Sequence, residues 1–142
     1  MFRCVPRDER SILVVAGSAT VSGYDRRTGE RVWSVGLPEA ADAVPGAIEV
    51  EVHGDRVLVL TRERLGGFDD FTGKLIGAAD LGEPARAPTM LVDGGDVFVA
   101  AGRMLECYTL DCELRWRVER SSWAVPSPAL AVPGNARQAD ET

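Results

Sequence analysis

A turn-bearing segment that occurs three times constrains the fold of this chain more than any other feature of its sequence. The first copy, GYDRRTGERVW at residues 23–33, reads as the end of one strand, a polar turn and a second strand that carries a tryptophan. A second copy is GFDDFTGKLIG at residues 67–77, and a third, less regular copy is CYTLDCELRW at residues 107–116. The chain is therefore predicted to be a short repeat protein.

Each copy of the segment belongs to a unit with four predicted strands. The equivalent residues Tyr24, Phe68 and Tyr108 are 44 and then 40 residues apart. Stretches such as AIEVEV at residues 47–52 alternate in polarity with the period of a half-buried strand, and turn-forming residues separate them. A period near forty with four strands per unit is typical of β-propeller blades. The sequence predicts an all-β fold of three four-stranded antiparallel blades, which is half of a propeller.

The predicted domain covers residues 1–132. It consists of blades at about 2–36, 47–80 and 89–120, followed by an extra strand at 127–132. That strand lies where the first strand of a fourth copy would begin, and no further strand is predicted after it. Residues 133–142 are polar and are predicted to form a tail.

Composition excludes several classes of function. The chain has 142 residues and a formal net charge of −6, which argues against binding to nucleic acid or to an anionic membrane surface, because both need a clustered cationic face. The first apolar run, residues 12–16, is too short for the core of a signal peptide, and no stretch approaches the length of a membrane span. Three cysteines, an odd number, fit reduced thiols. These features predict a cytoplasmic protein.

The repeated segment combines residue types that suit packing rather than catalysis. A small residue at the end of the third strand leaves a hole, and a large side chain from the fourth strand can fill such a hole on a facing surface. Asp and Thr side chains accept hydrogen bonds from turn amides, and Gly supplies a positive φ. The predicted blade-docking residues are Gly23, Asp25, Thr28, Gly29 and Trp33 in the first copy, Gly67, Asp69, Thr72 and Gly73 in the second, and Cys107 and Trp116 in the third.

The first copy resembles the tryptophan-docking motif of the PQQ-like, or quinoprotein-dehydrogenase-like, β-propeller repeats. The second copy departs from the motif at Gly77, which stands where the tryptophan is expected, and the turn of the third copy is one residue short. The resemblance implies a propeller that closes with six to eight blades. Redox-active members of the family hold a quinone and a calcium ion at the axis of an eight-bladed ring, but the chain has no adjacent cysteine pair and no assignable axial carboxylate and amide set. No cofactor, no metal and no enzymatic activity are therefore predicted.

Other candidate site residues are interpreted as structural. His53, the only histidine, precedes a turn and lacks partners for metal binding or acid-base chemistry. Cys107 and Cys112 have the spacing Cys-x4-Cys, but a zinc site would need two further ligands from distant copies. The acidic pairs at residues 69–70 and 93–96 are expected to be solvated turn residues.

An isolated array of three blades would expose two apolar blade faces and unpaired strand edges. We therefore expect association to complete the ring, most simply as a homodimer with six blades, or with a protein that carries complementary blades. The extra strand would pair across the junction. The predicted function is a non-enzymatic interaction module whose candidate contact regions are the connectors 37–46 and 82–88 and Trp123. The alternatives are a small-ligand sensor at the propeller axis and a quinone-dependent oxidoreductase.

Overall fold

The computed structural model describes residues 12–17, 20–37, 49–84, 87–120 and 129–138. Every helix or strand within these segments is a β-strand, and the described residues include no helix that could cross a membrane. In chain order the strands are β1 Ile12–Ala16, β2 Thr20–Asp25, β3 Arg31–Gly36, β4 Glu49–His53, β5 Arg56–Leu60, β6 Arg64–Asp69, β7 Leu75–Asp80, β8 Thr89–Asp93, β9 Asp96–Ala101, β10 Met104–Thr109, β11 Leu114–Glu119, β12 Ala129–Val132 and β13 Asn135–Gln138.

The strands form three antiparallel blades in chain order. Blade 1 contains β1 to β3, blade 2 contains β4 to β7 and blade 3 contains β8 to β11, and each strand pairs with its neighbour in the chain. The predicted all-β class with antiparallel blades is confirmed, and the array is open. A fourth strand of blade 1 was predicted at residues 2–5, which lie outside the described residues.

The strand register places the three copies of the repeated segment in equivalent positions. Gly23 is paired with Trp33 in blade 1, Gly67 with Gly77 in blade 2, and Cys107 with Trp116 in blade 3; the register shifts immediately after each of these pairs. Such a bulge bends the outer strand and increases its twist. The outermost strand of every blade therefore begins from the same local geometry.

The hydrophobic core lies between the blades. Strand β5, with the sequence RVLVL, is buried on both faces because its side chains alternate between two neighbours. Val57 and Val59 belong to the cluster shared with blade 1, whereas Leu58 and Leu60 belong to the cluster shared with blade 3. A blade thus depends on its neighbours for the burial of its apolar residues.

The prediction of a polar tail from residue 133 onwards is wrong for residues 135–138, which form β13. Strands β12 and β13 make a hairpin whose turn contains Pro133 and Gly134, and Gly134 has a φ of 82°. Pro followed by Gly in the middle of a turn suits the type II geometry, so the turn favours pairing although β13 has no apolar pattern. Gly54 and Gly94 also have positive φ at the equivalent turns, at intervals of 40 residues, so the hairpin is the first half of a fourth repeat.

Substitution of two neighbouring phenylalanines tests the location of the core. Phe68 is 1% exposed between blades 1 and 2, and Phe71 in the adjacent turn is 65% exposed. We expect Phe68→Ala to lower the free energy of unfolding by about 3–5 kcal/mol through lost burial and a cavity. Phe71→Ala should change it by no more than about 0.5 kcal/mol. Urea unfolding monitored by circular dichroism measures both, and equal losses would contradict a core located between the blades.

Candidate blade-docking sites

The indole of Trp33 connects blade 1 with blade 2. Its Nε1 donates a hydrogen bond of 2.9 Å to the carbonyl oxygen of Asp70, and the side chain is 8% exposed. Glycines lie on both sides of the ring. A Cβ added at Gly23 would be 2.5 Å from Trp33 Nε1, and one added at Gly73 would be 2.5 Å from Trp33 Cε3. Only glycine at both positions leaves room for the indole, which fills a slot between strand β2 and the turn of the next blade.

The turn that receives the indole, residues 69–73, is held by its own side chains. We call it the second polar turn. Asp69 Oδ1 accepts hydrogen bonds from the backbone N–H groups of Phe71 and Thr72, at 2.8 and 3.0 Å. Thr72 Oγ1 accepts one from the N–H of Lys74 at 3.2 Å. Gly73 has a φ of 75°, which favours glycine. These bonds fix the turn that presents the Asp70 carbonyl to Trp33.

Residues 25–29, the first polar turn, have the same construction. Asp25 Oδ1 accepts from the N–H of Arg27 at 2.8 Å, and Thr28 Oγ1 accepts from the N–H of Glu30 at 3.2 Å. Gly29 has a φ of 79°. Within the described residues, however, no atom lies within 4 Å of a Cβ built at Gly29. The first polar turn therefore has the form of an indole receptor with open space above its glycine.

The contact between blades 2 and 3 fills the same slot in a different way. The third polar turn, residues 109–112, has Cys112 at a φ of 66°, the left-handed position that glycine occupies in the other two turns. A Cβ at Gly77 would overlap the Asp111 carbonyl, and a Cβ at Gly67 would be 3.1 Å from Cys112 Sγ. The turn has moved into the space that a tryptophan at position 77 would need. The lack of a tryptophan at position 77 and the presence of a cysteine at position 112 thus compensate for each other.

Burial of the two described thiols raises their pKa values. Desolvation is the main cause at both, and it raises the pKa of Cys112 to about 12. Both cysteines are buried and free. Among the described residues, no group of three or more His, Cys, Asp or Glu side chains could hold a metal ion.

Trp116 at the end of the array has no such slot. It is 41% exposed and its ring is tilted by 44° over Phe98, with the ring centroids 6.2 Å apart. Its cross-strand partner is Cys107, which brings a Cβ to the position where Gly23 leaves space for Trp33. The described residues provide no hydrogen-bond acceptor for Trp116 Nε1.

A buried carboxylate, paired with a partly exposed arginine, also joins blades 2 and 3, and the sequence analysis did not identify it. The fully buried carboxylate of Glu106 accepts hydrogen bonds from the Gly82 N–H at 3.1 Å and from Arg117 Nε. Arg117 Nη2 donates to the Asp80 carbonyl at 3.2 Å, and Tyr108 Oη donates to it at 3.4 Å. Burial raises the pKa of Tyr108 to about 12. Glu106 and Arg117 face each other across β10 and β11, so correct register alone would have revealed the pair.

The remaining candidates lie at hairpin turns. His53 pairs with Arg56 where β4 turns into β5, and Asp93 pairs with Asp96 where β8 turns into β9. A groove of about 330 Å³ between blades 2 and 3 is lined in part by Arg56, Asp111 and Arg115. Arg56 forms ion pairs of 3.0 Å with Asp55 and Asp111, and Arg115 lies 3.4 Å from Asp96. The arginines of the groove are thus paired with carboxylates of the chain itself.

Comparisons place these repeats among known propellers. The family model described as outer membrane protein assembly factor BamB matches residues 17–139. BamB from Moraxella catarrhalis is similar with a TM-score of 0.65 and 18% identity, over 94% of this chain and 45% of BamB. The WD40 domain of coronin from Toxoplasma gondii has a TM-score of 0.66 at 16% identity, over 84% of this chain and 34% of that one. Quinohemoprotein alcohol dehydrogenase from Comamonas testosteroni has a TM-score of 0.60 at 22% identity, over 78% and 20%.

These similarities concern the fold. The chain spans less than half the length of each of these three solved structures. No curated protein matches its sequence. The neighbours include both an assembly factor and a dehydrogenase, so the likeness identifies the architecture that the repeats share.

Substitution of Gly77 tests the contact between blades 2 and 3, and the same substitution at Gly36 is its control. We expect Gly77→Ala to lower the free energy of unfolding by about 1–3 kcal/mol, because the new methyl group overlaps the Asp111 carbonyl. Gly36, also in an outermost strand, has no described atom within 4 Å of an added Cβ. Gly36→Ala should change the free energy of unfolding by no more than about 1 kcal/mol. Denaturant titration measures both, and an unaffected Gly77→Ala variant would rule out the close approach of the third polar turn.

The raised pKa of Cys112 predicts a stability loss at high pH. Its ordinary pKa of 9.0 rises to about 12 in the folded chain, so the unfolded chain ionises first as the pH increases. The contribution of the buried thiol to stability is complete below pH 9.0 and is lost as the pH rises towards about 12. Thermal unfolding across this range, compared between a Cys4→Ser variant and a Cys4→Ser/Cys112→Ala variant, measures it. Parallel pH profiles for the two variants would contradict the assignment.

Proposed function

This chain belongs to the PQQ-like repeat family described as outer membrane protein assembly factor BamB, and we propose that it is a non-enzymatic interaction module that forms a closed ring with a second copy of itself. The observation that carries the proposal is the complementarity of the two open ends of the array. Each end exposes the kind of face that is buried between blades inside the chain.

The open face of blade 1 corresponds to the face that blade 2 buries. Leu13 lies opposite Tyr24 in blade 1, as Val57 lies opposite Phe68 in blade 2. Val57 and Phe68 are buried in the cluster between blades 1 and 2, whereas Leu13 is 54% exposed. Val15 and Val32 are also about half exposed. This end therefore has the surface that packs against a preceding blade.

The open face of blade 3 corresponds to the face that blade 1 packs against blade 2. Trp116 occupies the register position of Trp33, and it is exposed together with Leu114 and Val118 on the same outer strand. This end has the surface that packs against a following blade. Two such ends fit each other head to tail, and a contact of this type closes into a ring when the rotation between copies permits.

A role in protein interaction fits the chemistry of the blade-docking residues and of the charged groove. Trp33, the glycines around it and Cys112 serve packing between blades, and the charged groups of the groove are paired with one another. Repeat proteins commonly use their loops and curved surfaces to bind other proteins. The family is named after an assembly factor, which suits such a role. The absence of a cofactor and a cytoplasmic location stay predictions from the sequence.

The oligomeric state tests this function directly. Light scattering on a size-exclusion column should give a mass of about twice 15.3 kDa at micromolar concentration. A Val15→Arg variant places a charge on the open face of blade 1 and should shift the mass towards the monomer. Leu75→Arg changes a comparably exposed residue of β7 in the middle blade and should leave the mass unchanged. A folded wild-type monomer throughout, or a dimer that survives Val15→Arg, would contradict the proposal.

A further inference from the structure

We propose that Trp116 of one copy inserts against the first polar turn of a second copy, with its indole Nε1 donating to the carbonyl oxygen of Arg26. This inference rests on the proposed ring and specifies its junction. It treats the contact between Trp33 and the second polar turn as the template for the contact between copies.

The first polar turn is shaped by the same kinds of hydrogen bond as the template receptor, although Asp69 Oδ1 accepts from two turn amides and Asp25 Oδ1 from one. In each turn the glycine N–H donates to the carbonyl of the first aspartate at 2.8 Å, and the aspartate and threonine side chains accept from turn amides. Arg26 follows Asp25 as Asp70 follows Asp69, so its carbonyl has the position of the acceptor that Trp33 uses. Among the described residues, no atom lies within 4 Å of a Cβ built at Gly29. The receptor is complete, and no indole of the described chain occupies it.

Trp116 has the same cross-strand position as Trp33, the donor of the template contact, but its side chain is more exposed. It pairs with Cys107 as Trp33 pairs with Gly23, and the same bulge follows. Cys107 brings a Cβ to the position that Gly23 leaves open, and the Trp116 ring lies beside Phe98 with the ring centroids 6.2 Å apart. The indole is 41% exposed on the outermost strand of blade 3, on the face that a following blade would cover.

The β12–β13 hairpin determines how a second copy can approach. Both strands lie against β8, and Asn135 Nδ2 donates to the Val92 carbonyl at 2.9 Å. Because the hairpin corresponds to the first two strands of a fourth repeat, β12 has the position of the innermost strand of the following blade. Strand β13 pairs with β12 at the edge where β1 of a second copy would pair in the ring. The sequence of β13 is NARQ, whereas that of β1 is ILVVA. Replacement of β13 by the partner's β1 therefore buries more apolar surface.

A second copy of this chain is the occupant that these observations favour. The contact between blades 1 and 2 shows that an indole and a polar turn of this chain fit each other, and the described residues carry one further member of each kind at opposite ends. In the monomer, β13 covers an edge of β12 that would otherwise be free to pair. Assembly exchanges that strand for the apolar β1 of the partner copy.

Two variants test the contact, and each of them disrupts one side of the junction. Trp116→Ala removes the indole. Gly29→Asn keeps the left-handed turn, because asparagine tolerates positive φ, and places a side chain where the indole would lie. Gly54→Asn makes the same change in the middle blade, at a turn with a φ of 59° and no described atom within 4 Å of an added Cβ. Sedimentation velocity measures the dimer dissociation constant of each, and circular dichroism confirms that each is folded.

We expect Trp116→Ala and Gly29→Asn each to raise the dissociation constant by about tenfold or more, and Gly54→Asn to leave it unchanged. An equimolar mixture of the two defective variants should form dimers more tightly than either alone, because one junction of the mixed ring combines an intact Trp116 with an intact Gly29. Dimers unaffected by both variants, or no recovery on mixing, would overturn this junction while leaving the ring in place. A wild-type chain that stays monomeric would overturn the ring as well.

Discussion

The indole of Trp33 between Gly23 and Gly73 shows the constraint on which the whole array depends. A four-stranded blade has two apolar faces and cannot bury either alone, so every blade must offer its neighbour a surface without gaps. At the first interface an aromatic ring fills the slot between two glycines and binds a turn carbonyl. At the second interface Gly77 has no side chain, and the third polar turn moves in with Cys112 instead. The same slot is filled from opposite sides, which lets the blades stack although their sequences differ.

The ends of the array follow from the same constraint. Blade 1 exposes Leu13 and Val15 on the face that blade 2 buries in its own equivalent residues, and blade 3 exposes Trp116. The β12–β13 hairpin covers part of the open face of blade 3, because it lies against β8, but within the described residues it does not reach β11. The described array therefore leaves apolar surface at both ends. In the proposed ring, a second copy would cover both ends at once, since each of its ends complements an end of the first.

Much of the fold could be predicted from residues with a strict local requirement. Gly29 and Gly73 mark turns that need positive φ, and the alternation in β4 identifies a strand without further context. The role of Cys112 could not be predicted because it depends on close contacts with Gly67 and Gly77 in another blade, which local sequence does not reveal. The Glu106–Arg117 pair could be predicted only from the correct register of β10 and β11, which shifts at a bulge after Cys107. Strand β13 was missed because its turn, rather than its side-chain pattern, favours pairing.

Small-angle X-ray scattering of the assembled protein tests the central claim most directly, because it distinguishes a closed ring from an open chain of the same mass. Two copies of 142 residues closed into one compact ring should have a radius of gyration of about 19–20 Å. Two copies joined through a single junction, with both outer ends free, would form a longer arc. A radius of gyration above about 25 Å at the mass of a dimer would contradict closure and with it the complementarity of the two ends.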